Sequence, residues 1–103
     1  MRCRRLKPIP EEVRRAADLL ERRWTLSILY ASATGAVRFN EFLAALGRVP
    51  PATLTARLTE LVDAGVLERR VLDTRPPAVE YRLTNQGRRL RPIVRELARW
   101  CRA

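Results

Sequence analysis

Residues 50–82, PPATLTARLTELVDAGVLERRVLDTRPPAVEYR, decide the fold of this 103-residue chain. Residues 51–64 are predicted to form a helix with one apolar face, because apolar side chains recur at the i, i+4, i+7 and i+8 spacing. They are Leu54, Leu58, Leu61 and Val62. Gly65 ends this helix, and two short runs on either side of DTRPPA then predict a β-hairpin. A helix followed at once by an arginine-bearing hairpin indicates a nucleic-acid-binding element.

The segment before this stretch predicts a partner helix. In residues 36–47, AVRFNEFLAALG, we expect a short extended piece and then a helix that is capped by Asn40 and ended by Gly47. The link GRVPP is short, and Pro51 suits the first position of the next helix, where its missing N–H costs nothing. The pattern is therefore helix, tight turn, helix.

The outward face of the second helix consists mostly of small and hydroxyl side chains. The residues that face away from the core or lie on its flanks are Ala52, Thr53, Thr55, Ala56, Arg57, Thr59 and Glu60. A face of this kind allows close approach to a groove, where threonine and arginine can contact phosphates and base edges. An ordinary surface helix explains the same residues equally well, because small side chains carry little information.

The hairpin carries a basic cluster with acidic neighbours. The arginines are Arg69, Arg70, Arg75 and Arg82, and the local acidic residues are Glu68, Asp73 and Glu80. Such a cluster alone is most often a solvated face. Its position next to a helix-turn-helix favours the functional interpretation.

The two ends of the chain predict further helices. Residues 1–10 form a basic N-terminal arm, and residues 11–103 form one domain. A first amphipathic helix starts at Glu11 and carries an apolar stripe, and the segment WTLSILYASA is predicted to be core. A last helix, capped by Thr84, has a long stripe and should kink at Pro92 unless it starts late. Because the body is small, we expect this stripe to pair with a second copy.

Composition supports a polyanionic partner. The chain has 21 basic and 11 acidic residues, a formal net charge of +10 and a pI near 11.4, and Lys7 is its only lysine. Arginine suits phosphate and guanine, although high Arg and Ala content also follows from a GC-rich genome. The longest apolar run is far below the roughly 20 residues that span a bilayer, so we predict a cytoplasmic protein without a membrane partner.

Catalytic and metal chemistry are not expected. The chain has no histidine and only two cysteines, Cys3 and Cys101, so it cannot build a zinc site within one chain. It also lacks a glycine-rich phosphate loop and a recognisable carboxylate pair, which argues against an enzyme and against a cofactor. A thiol switch, in which Cys3 of one subunit meets Cys101 of the other, is an open alternative to two unreactive thiols.

Several segments in the same order and spacing resemble HxlR-type winged helix-turn-helix transcriptional regulators, which are related to the MarR group. These are DLLERRWTLSIL, VRFNEFLAALGRVPPATLTARLTELVDAGVLERR, RPPAVEYRLTNQGRRLRPIV and LARW. The resemblance implies a mainly α fold with a small β-hairpin as the wing, and a homodimer joined by the first and last helices. The DNA-facing positions that it implies are Arg38, Asn40, Thr53, Thr55, Ala56, Arg57, Arg69, Arg70 and Arg75.

Two departures from the family pattern change these expectations. Family members commonly have two glycines and a lysine before the tryptophan, where this chain has Glu21, Arg22 and Arg23, so the first two helices are expected to run together. Long polar side chains are common at positions 52 and 56, where this chain has alanine. The alanines shift the expected DNA contacts from bases toward phosphates and DNA shape.

The predicted function is that of a homodimeric transcriptional regulator that binds double-stranded DNA with a sequence preference. A repressor is favoured over an activator. A winged-helix module that binds protein or RNA and a redox-responsive regulator that uses Cys3 and Cys101 are the alternatives. The operator, the regulated genes and any small-molecule effector cannot be derived from the residues.

Overall fold

The computed structural model of the chain describes residues 6–102, which form six helices and a two-stranded antiparallel sheet. Residues 1–5 of the N-terminal arm, which include Cys3, therefore lie outside the described residues. In chain order the elements are α1 (Glu11–Leu20), α2 (Thr25–Ala33), α3 (Phe39–Leu46), α4 (Pro51–Asp63), β1 (Leu67–Leu72), β2 (Ala78–Leu83), α5 (Asn85–Arg88) and α6 (Arg91–Arg102).

Helix α2 lies at the centre of the packing and contacts α1, α3, α6 and β2. Its Ile28 and Leu29 are buried, as predicted from the apolar character of this segment. The other elements contribute further fully or almost fully buried side chains, which are Phe42, Leu54, Leu58, Leu61, Leu67, Leu83 and Val94. Removal of this apolar surface from water is the main stabilising term of the fold.

Helix α4 has the predicted extent and the predicted face. It begins with Pro51 at its first position, and Leu54, Leu58 and Leu61 are completely buried. Gly65 follows with a φ of +78°, in the left-handed region that glycine adopts without strain. The periodicity of the sequence therefore located this helix correctly.

Helix α3 does not begin where the sequence predicted. Asn40 was expected to be its cap, but the helix starts at Phe39, with Arg38 in the extended conformation of the N-cap position. The carboxylate of Glu41 takes the capping role and accepts hydrogen bonds of 2.9 Å from the N–H groups of Val37 and Arg38. A carboxylate in the first turn therefore replaces the side-chain cap that Asn40 was expected to provide.

The first two helices were expected to run together, because Glu21, Arg22 and Arg23 precede the tryptophan. This prediction is wrong, since the two helices are separate. Helix α1 ends at Leu20, and Trp24 has a φ of 80°, which turns the chain before α2. The guanidinium of Arg23 lies 5.1 Å from the centroid of the Trp24 ring, at cation–π distance. A tight turn without glycine thus separates α1 from α2.

The hairpin pairs β1 with β2 over six positions each, from Leu67 opposite Leu83 to Leu72 opposite Ala78. The extended segment 36–38 lies beside it, and the carbonyl of Val37 accepts a 2.7 Å hydrogen bond from the N–H of Tyr81. This contact connects the start of α3 to the hairpin.

The predicted last helix is in fact two helices. Thr84 is the expected cap, since its Oγ1 accepts a 3.0 Å hydrogen bond from the N–H of Gly87, but the capped helix α5 ends at Arg88. Helix α6 starts at Arg91, so Pro92 is its second residue and lies within the first turn. Backbone N–H groups in the first turn have no acceptor within the helix, so the missing N–H of proline costs nothing there. No kink is required there.

The terminal helices bury little of their apolar surface. Helix α1 has no buried residue, and Val94 is the one buried residue of α6. Large apolar side chains remain exposed on both helices, namely Val13, Ile93, Leu97 and Trp100. None of the described helices is long and apolar enough to cross a membrane.

Candidate nucleic-acid interface

The outward face of α4 is open to solvent and lined by small side chains. Ala52, Thr55, Ala56 and Thr59 are exposed, and Thr53 is half-buried. The buried leucines on the opposite side hold this face outward. The surface can approach a nucleic-acid groove closely because no long side chain projects from it at positions 52 and 56.

Two threonine hydroxyls on this face already donate within the helix. Thr55 Oγ1 donates to the carbonyl oxygen of Pro51 at 3.1 Å, and Thr59 Oγ1 donates to that of Thr55 at 2.9 Å. Each hydroxyl keeps lone pairs that can accept a hydrogen bond from a base amino group. In this arrangement the Thr55 hydroxyl can accept a further hydrogen bond, and the exposed side chain also presents a methyl group.

Arg57 is held within the protein. Its side chain is 18% exposed, its Nε donates to the carbonyl oxygen of Arg23 at 2.9 Å, and its Nη1 lies 3.1 Å from Glu60 Oε2. Glu60 also pairs with Arg22, at 3.4 Å. The guanidinium therefore links α4 to the turn between α1 and α2. This role was not predicted, since it depends on a main-chain carbonyl 34 residues away.

The start of α3 presents two polar side chains to solvent. Arg38, at the N-cap, and Asn40, in the first turn, are both exposed. The hydrogen bonds from the backbone N–H groups of Val37 and Arg38 lower the pKa of the Glu41 carboxyl, with a smaller contribution from the charge of Arg38. Because these N–H groups are occupied by Glu41, the side chains of Arg38 and Asn40 are the groups left to contact a ligand here.

The hairpin arginines do not form one surface. Arg69 and Arg70 are consecutive in β1, opposite Tyr81 and Glu80 respectively, so their side chains point to opposite faces. Arg70 Nη2 lies 3.5 Å from Glu68 Oε2, and Arg75 is exposed in the turn that joins the strands. One face of the hairpin can thus present Arg69 or Arg70 to a ligand, but not both.

A further exposed arginine was missed by the sequence interpretation. Arg48 lies in the turn between α3 and α4, two residues before Pro50 and three before the start of α4. Its place in the short link GRVPP was the signal that could have identified it. It adds a guanidinium next to the N-terminal end of α4.

Within residues 6–102, no group of three or more acidic, cysteine or histidine side chains is arranged to hold a metal ion. Cys101, on α6, has an exposed free thiol. Cys3, the other member of the predicted thiol pair, lies outside the described part of the chain.

The architecture of helix-turn-helix and hairpin matches a known protein family. The model of the HxlR-like helix-turn-helix family matches residues 19–103 of this chain. The chain belongs to this HxlR-like family. The resemblance that the sequence motifs indicated is therefore confirmed, and so is the winged helix-turn-helix fold, in which β1 and β2 form the wing.

Relatives of this HxlR-like protein are transcriptional regulators. YvaP of Bacillus subtilis, an HTH-type transcriptional regulator, is 38% identical over 86 residues, which cover 84% of this chain and 80% of YvaP. The chain spans between 56% and 80% of the length of the curated relatives that it matches. The prediction of a regulator and not an enzyme agrees with these relatives.

Solved structures give the same result. The redox regulator HypR in its reduced form is 36% identical, with a TM-score of 0.79 over 87% of this chain and 89% of that chain. A MarR-family regulator from Porphyromonas gingivalis is 26% identical, with a TM-score of 0.80 over 94% of this chain and 95% of that one. The HxlR-like chain is thus a transcriptional regulator with a winged helix-turn-helix fold.

Proposed function

We propose that this regulator binds double-stranded DNA as a homodimer and represses transcription by occupying its site. The observation that carries the proposal is the outward face of α4, where small side chains are exposed opposite a fully buried leucine row. In a helix-turn-helix protein this face enters the major groove. The two α4 helices of a dimer would enter successive grooves on one side of the duplex.

The proposed contacts divide between bases and phosphates. Thr53, Thr55 and Ala56 contact the groove, where a threonine or alanine methyl group packs against a thymine methyl. The surrounding polar and basic side chains contact phosphates. These are Arg38, Asn40, Arg48, Arg75 and whichever of Arg69 and Arg70 lies on the DNA-facing side of the hairpin. Arg57 acts differently in this proposal, because it positions α4 from within the protein.

The proposed dimer covers the apolar surface of the terminal helices. Leu97 and Trp100 on α6 are exposed, as are Leu26 and Tyr30 on α2. A groove of about 540 Å³ between α2 and α6 is lined by Leu26, Tyr30, Leu97 and Cys101, among others. A second copy that inserts its own α6 here would remove this surface from water.

The dimer is tested by a matched pair of variants on α6. Leu97→Gln should shift the mass in solution from dimer to monomer and weaken DNA binding. Arg99→Gln, on the same helix and paired with Glu96 at 3.3 Å, should change neither. A wild-type chain that is monomeric at micromolar concentration, or a Leu97→Gln variant that stays dimeric, contradicts the proposed interface.

DNA binding is tested by titration of the DNA upstream of its own gene at several salt concentrations. The logarithm of affinity should fall linearly with the logarithm of salt, with a slope of roughly -0.9 per phosphate contact. Equal affinity for upstream and random duplexes would instead favour the alternative of a protein- or RNA-binding module.

Repression is tested separately, with a reporter gene placed under the control of the upstream DNA. Expression of the reporter should rise when the regulator is deleted.

A thiol-responsive regulator is the second candidate, because the exposed thiol of Cys101 lines the proposed dimer groove. HypR, a similar structure, is a redox regulator. Mild oxidation should then give a covalent dimer on non-reducing electrophoresis that is absent from Cys101→Ser and from Cys3→Ser. A monomer band alone, in the oxidised wild-type chain, counts against this candidate.

A further inference from the structure

A cleft of about 560 Å³ lies on the side of the fold where the C-terminal end of α2 meets the end of β2 and the start of α6. We call it the arginine cleft. Its polar lining residues are Ser32, Thr34, Arg82, Arg88, Arg91 and Arg95. The function proposed above makes no use of these residues.

The arginine cleft gathers positive charge without a carboxylate in its lining. Arg82 is paired outside it, with its Nε 2.8 Å from Glu80 Oε1, and Arg88 Nη1 donates to the amide oxygen of Asn85 at 3.0 Å. Within residues 6–102, neither Arg91 nor Arg95 forms an ion pair. Guanidinium groups that face one cavity repel each other, and an anion between them removes that repulsion.

Two buried polar atoms of the cleft also lack a partner. The hydroxyl of Ser32 and the Nε of Arg91 are buried and form no hydrogen bond within the described chain. Ser32 is only 6% exposed. A buried donor without an acceptor is destabilising, so such groups normally have a partner. Both atoms are donors, and both belong to residues that line the same cavity.

We propose that the arginine cleft binds a small oxyanion, a molecule with two or more phosphate or carboxylate groups. Its oxygens accept hydrogen bonds from the guanidinium groups of Arg91 and Arg95 and from the hydroxyl of Ser32. The fork of a guanidinium matches the two oxygens of such a group and gives strong, charge-assisted hydrogen bonds. The space is sufficient for a molecule larger than a single phosphate.

The geometry favours a small anion over the DNA backbone. Arg82 lies opposite Glu68, at the base of the hairpin, and is five residues from Pro77 in the turn. This separation corresponds to about 16 Å along the strand. The hydroxyl of Ser32 is also buried, and a duplex backbone that rests on the surface would not reach it.

The ligand site adjoins the parts of the molecule that a regulator must coordinate. Ser32 belongs to α2, Arg82 to the wing and Arg91 to α6. An anion that contacts Ser32 and Arg91 would fix α2 relative to the terminal helix, next to the base of the wing. The binding itself does not depend on the proposed DNA-binding function, and it can be measured on the free protein.

The test is calorimetric titration of the full chain with inorganic pyrophosphate and, in a second arm, with citrate, both at constant ionic strength set with chloride. The first arm presents phosphate oxygens and the second carboxylate oxygens. We expect saturable binding in at least one arm and a matching rise in the unfolding temperature, since a ligand that binds only the folded state stabilises it. Arg95→Gln should weaken that binding by about tenfold or more, because an exposed charge-assisted contact is lost.

Two further variants separate the site from general charge effects. Ser32→Ala should weaken anion binding by about tenfold while the unfolding temperature of the free protein stays the same or rises, because the variant removes a buried hydroxyl that has no partner. Arg99→Gln removes one charge from the same helix, outside the cleft, and should change affinity by less than about twofold.

Three results would overturn the proposal. The first is the absence of saturable binding in both arms. The second is an equal loss of affinity in Arg95→Gln and Arg99→Gln, which would show a non-specific charge effect. The third is a loss of DNA affinity in Arg95→Gln without any effect on anion binding, which would make the cleft part of the DNA-binding surface.

Discussion

The Nε of Arg57 donates a 2.9 Å hydrogen bond to the carbonyl oxygen of Arg23, which ties the recognition helix to the turn between the first two helices. The same guanidinium meets Glu60, and Glu60 in turn meets Arg22. The orientation of α4 is therefore determined in part by polar contacts at its side, in addition to its buried leucines. Residues that shape DNA recognition need not contact DNA.

Arg57→Ala is expected to lower the free energy of unfolding by about 1–3 kcal/mol, because a partly buried, charged hydrogen-bonding group is lost and the Arg23 carbonyl loses its donor. Denaturant titration measures this change. Arg57→Lys should recover little, since lysine lacks the planar fork that reaches both partners. Arg14→Ala, an exposed change on α1, is the control. Unchanged stability together with weakened DNA binding would instead indicate that Arg57 contacts DNA directly.

Arg75→Ala is expected to weaken DNA binding without an effect on stability, because the side chain is exposed in the wing turn. Loss of one phosphate contact should reduce the salt slope of binding by about 1. Fluorescence anisotropy at several salt concentrations measures the slope. Arg99→Ala removes the same charge from α6 and should leave the slope unchanged. An unaltered slope in Arg75→Ala would place the wing turn away from the backbone.

Gly87→Ala is expected to be the most damaging small substitution, because an added Cβ would collide with the carbonyl oxygen and carbon of Val66. Since these are backbone atoms, relief requires α5 to move away from the hairpin, at a cost of about 3 kcal/mol or more. Thermal unfolding measures the effect. Gly47→Ala is the comparison: no atom lies within 4 Å of its added Cβ, and only the positive φ of +78° opposes it, at about 1–2 kcal/mol. Equal losses of stability in Gly87→Ala and Gly47→Ala would show that α5 can shift away from Val66 without a large cost.

Glu41→Gln is expected to lower the unfolding temperature at neutral pH, because the charged carboxylate caps α3 better than a neutral amide. The backbone hydrogen bonds lower the pKa of Glu41 in the folded state below its ordinary value of 4.5. The contribution of the carboxylate is therefore complete above pH 4.5 and is lost as the pH falls through the lower folded pKa. The difference between wild type and variant should narrow over that range. A difference that is independent of pH would argue against the charged cap.

Local patterns in the sequence predicted the parts of the fold that depend on local rules. The leucine spacing predicted the buried face of α4, Gly65 predicted its end, and the cap at Thr84 was identified from its residue type. The start of α3 was misplaced because two adjacent residues, Asn40 and Glu41, can both cap a helix. The choice between them depends on backbone angles that a sequence does not display.

The site was harder to predict than the fold, because its key contacts join distant residues. The bond from Arg57 to Arg23 ends on a main-chain oxygen, which has no signature in residue type. The arginine cleft brings together residues 32, 82, 91 and 95 from three elements, and their spacing in the sequence does not predict that they meet. The opposite directions of Arg69 and Arg70, in contrast, follow from strand alternation once the strand is known.

The two tryptophans of the chain occupy very different surroundings. Trp24 is half-buried beneath the guanidinium of Arg23, beside the carbonyl that anchors Arg57, whereas Trp100 is 74% exposed near the end of α6. The indole of Trp24 therefore senses the turn that supports the recognition helix, and the indole of Trp100 senses whatever covers the terminal helix. The chain therefore carries two native fluorophores with different emission, one at the turn that supports α4 and one at the exposed end of α6.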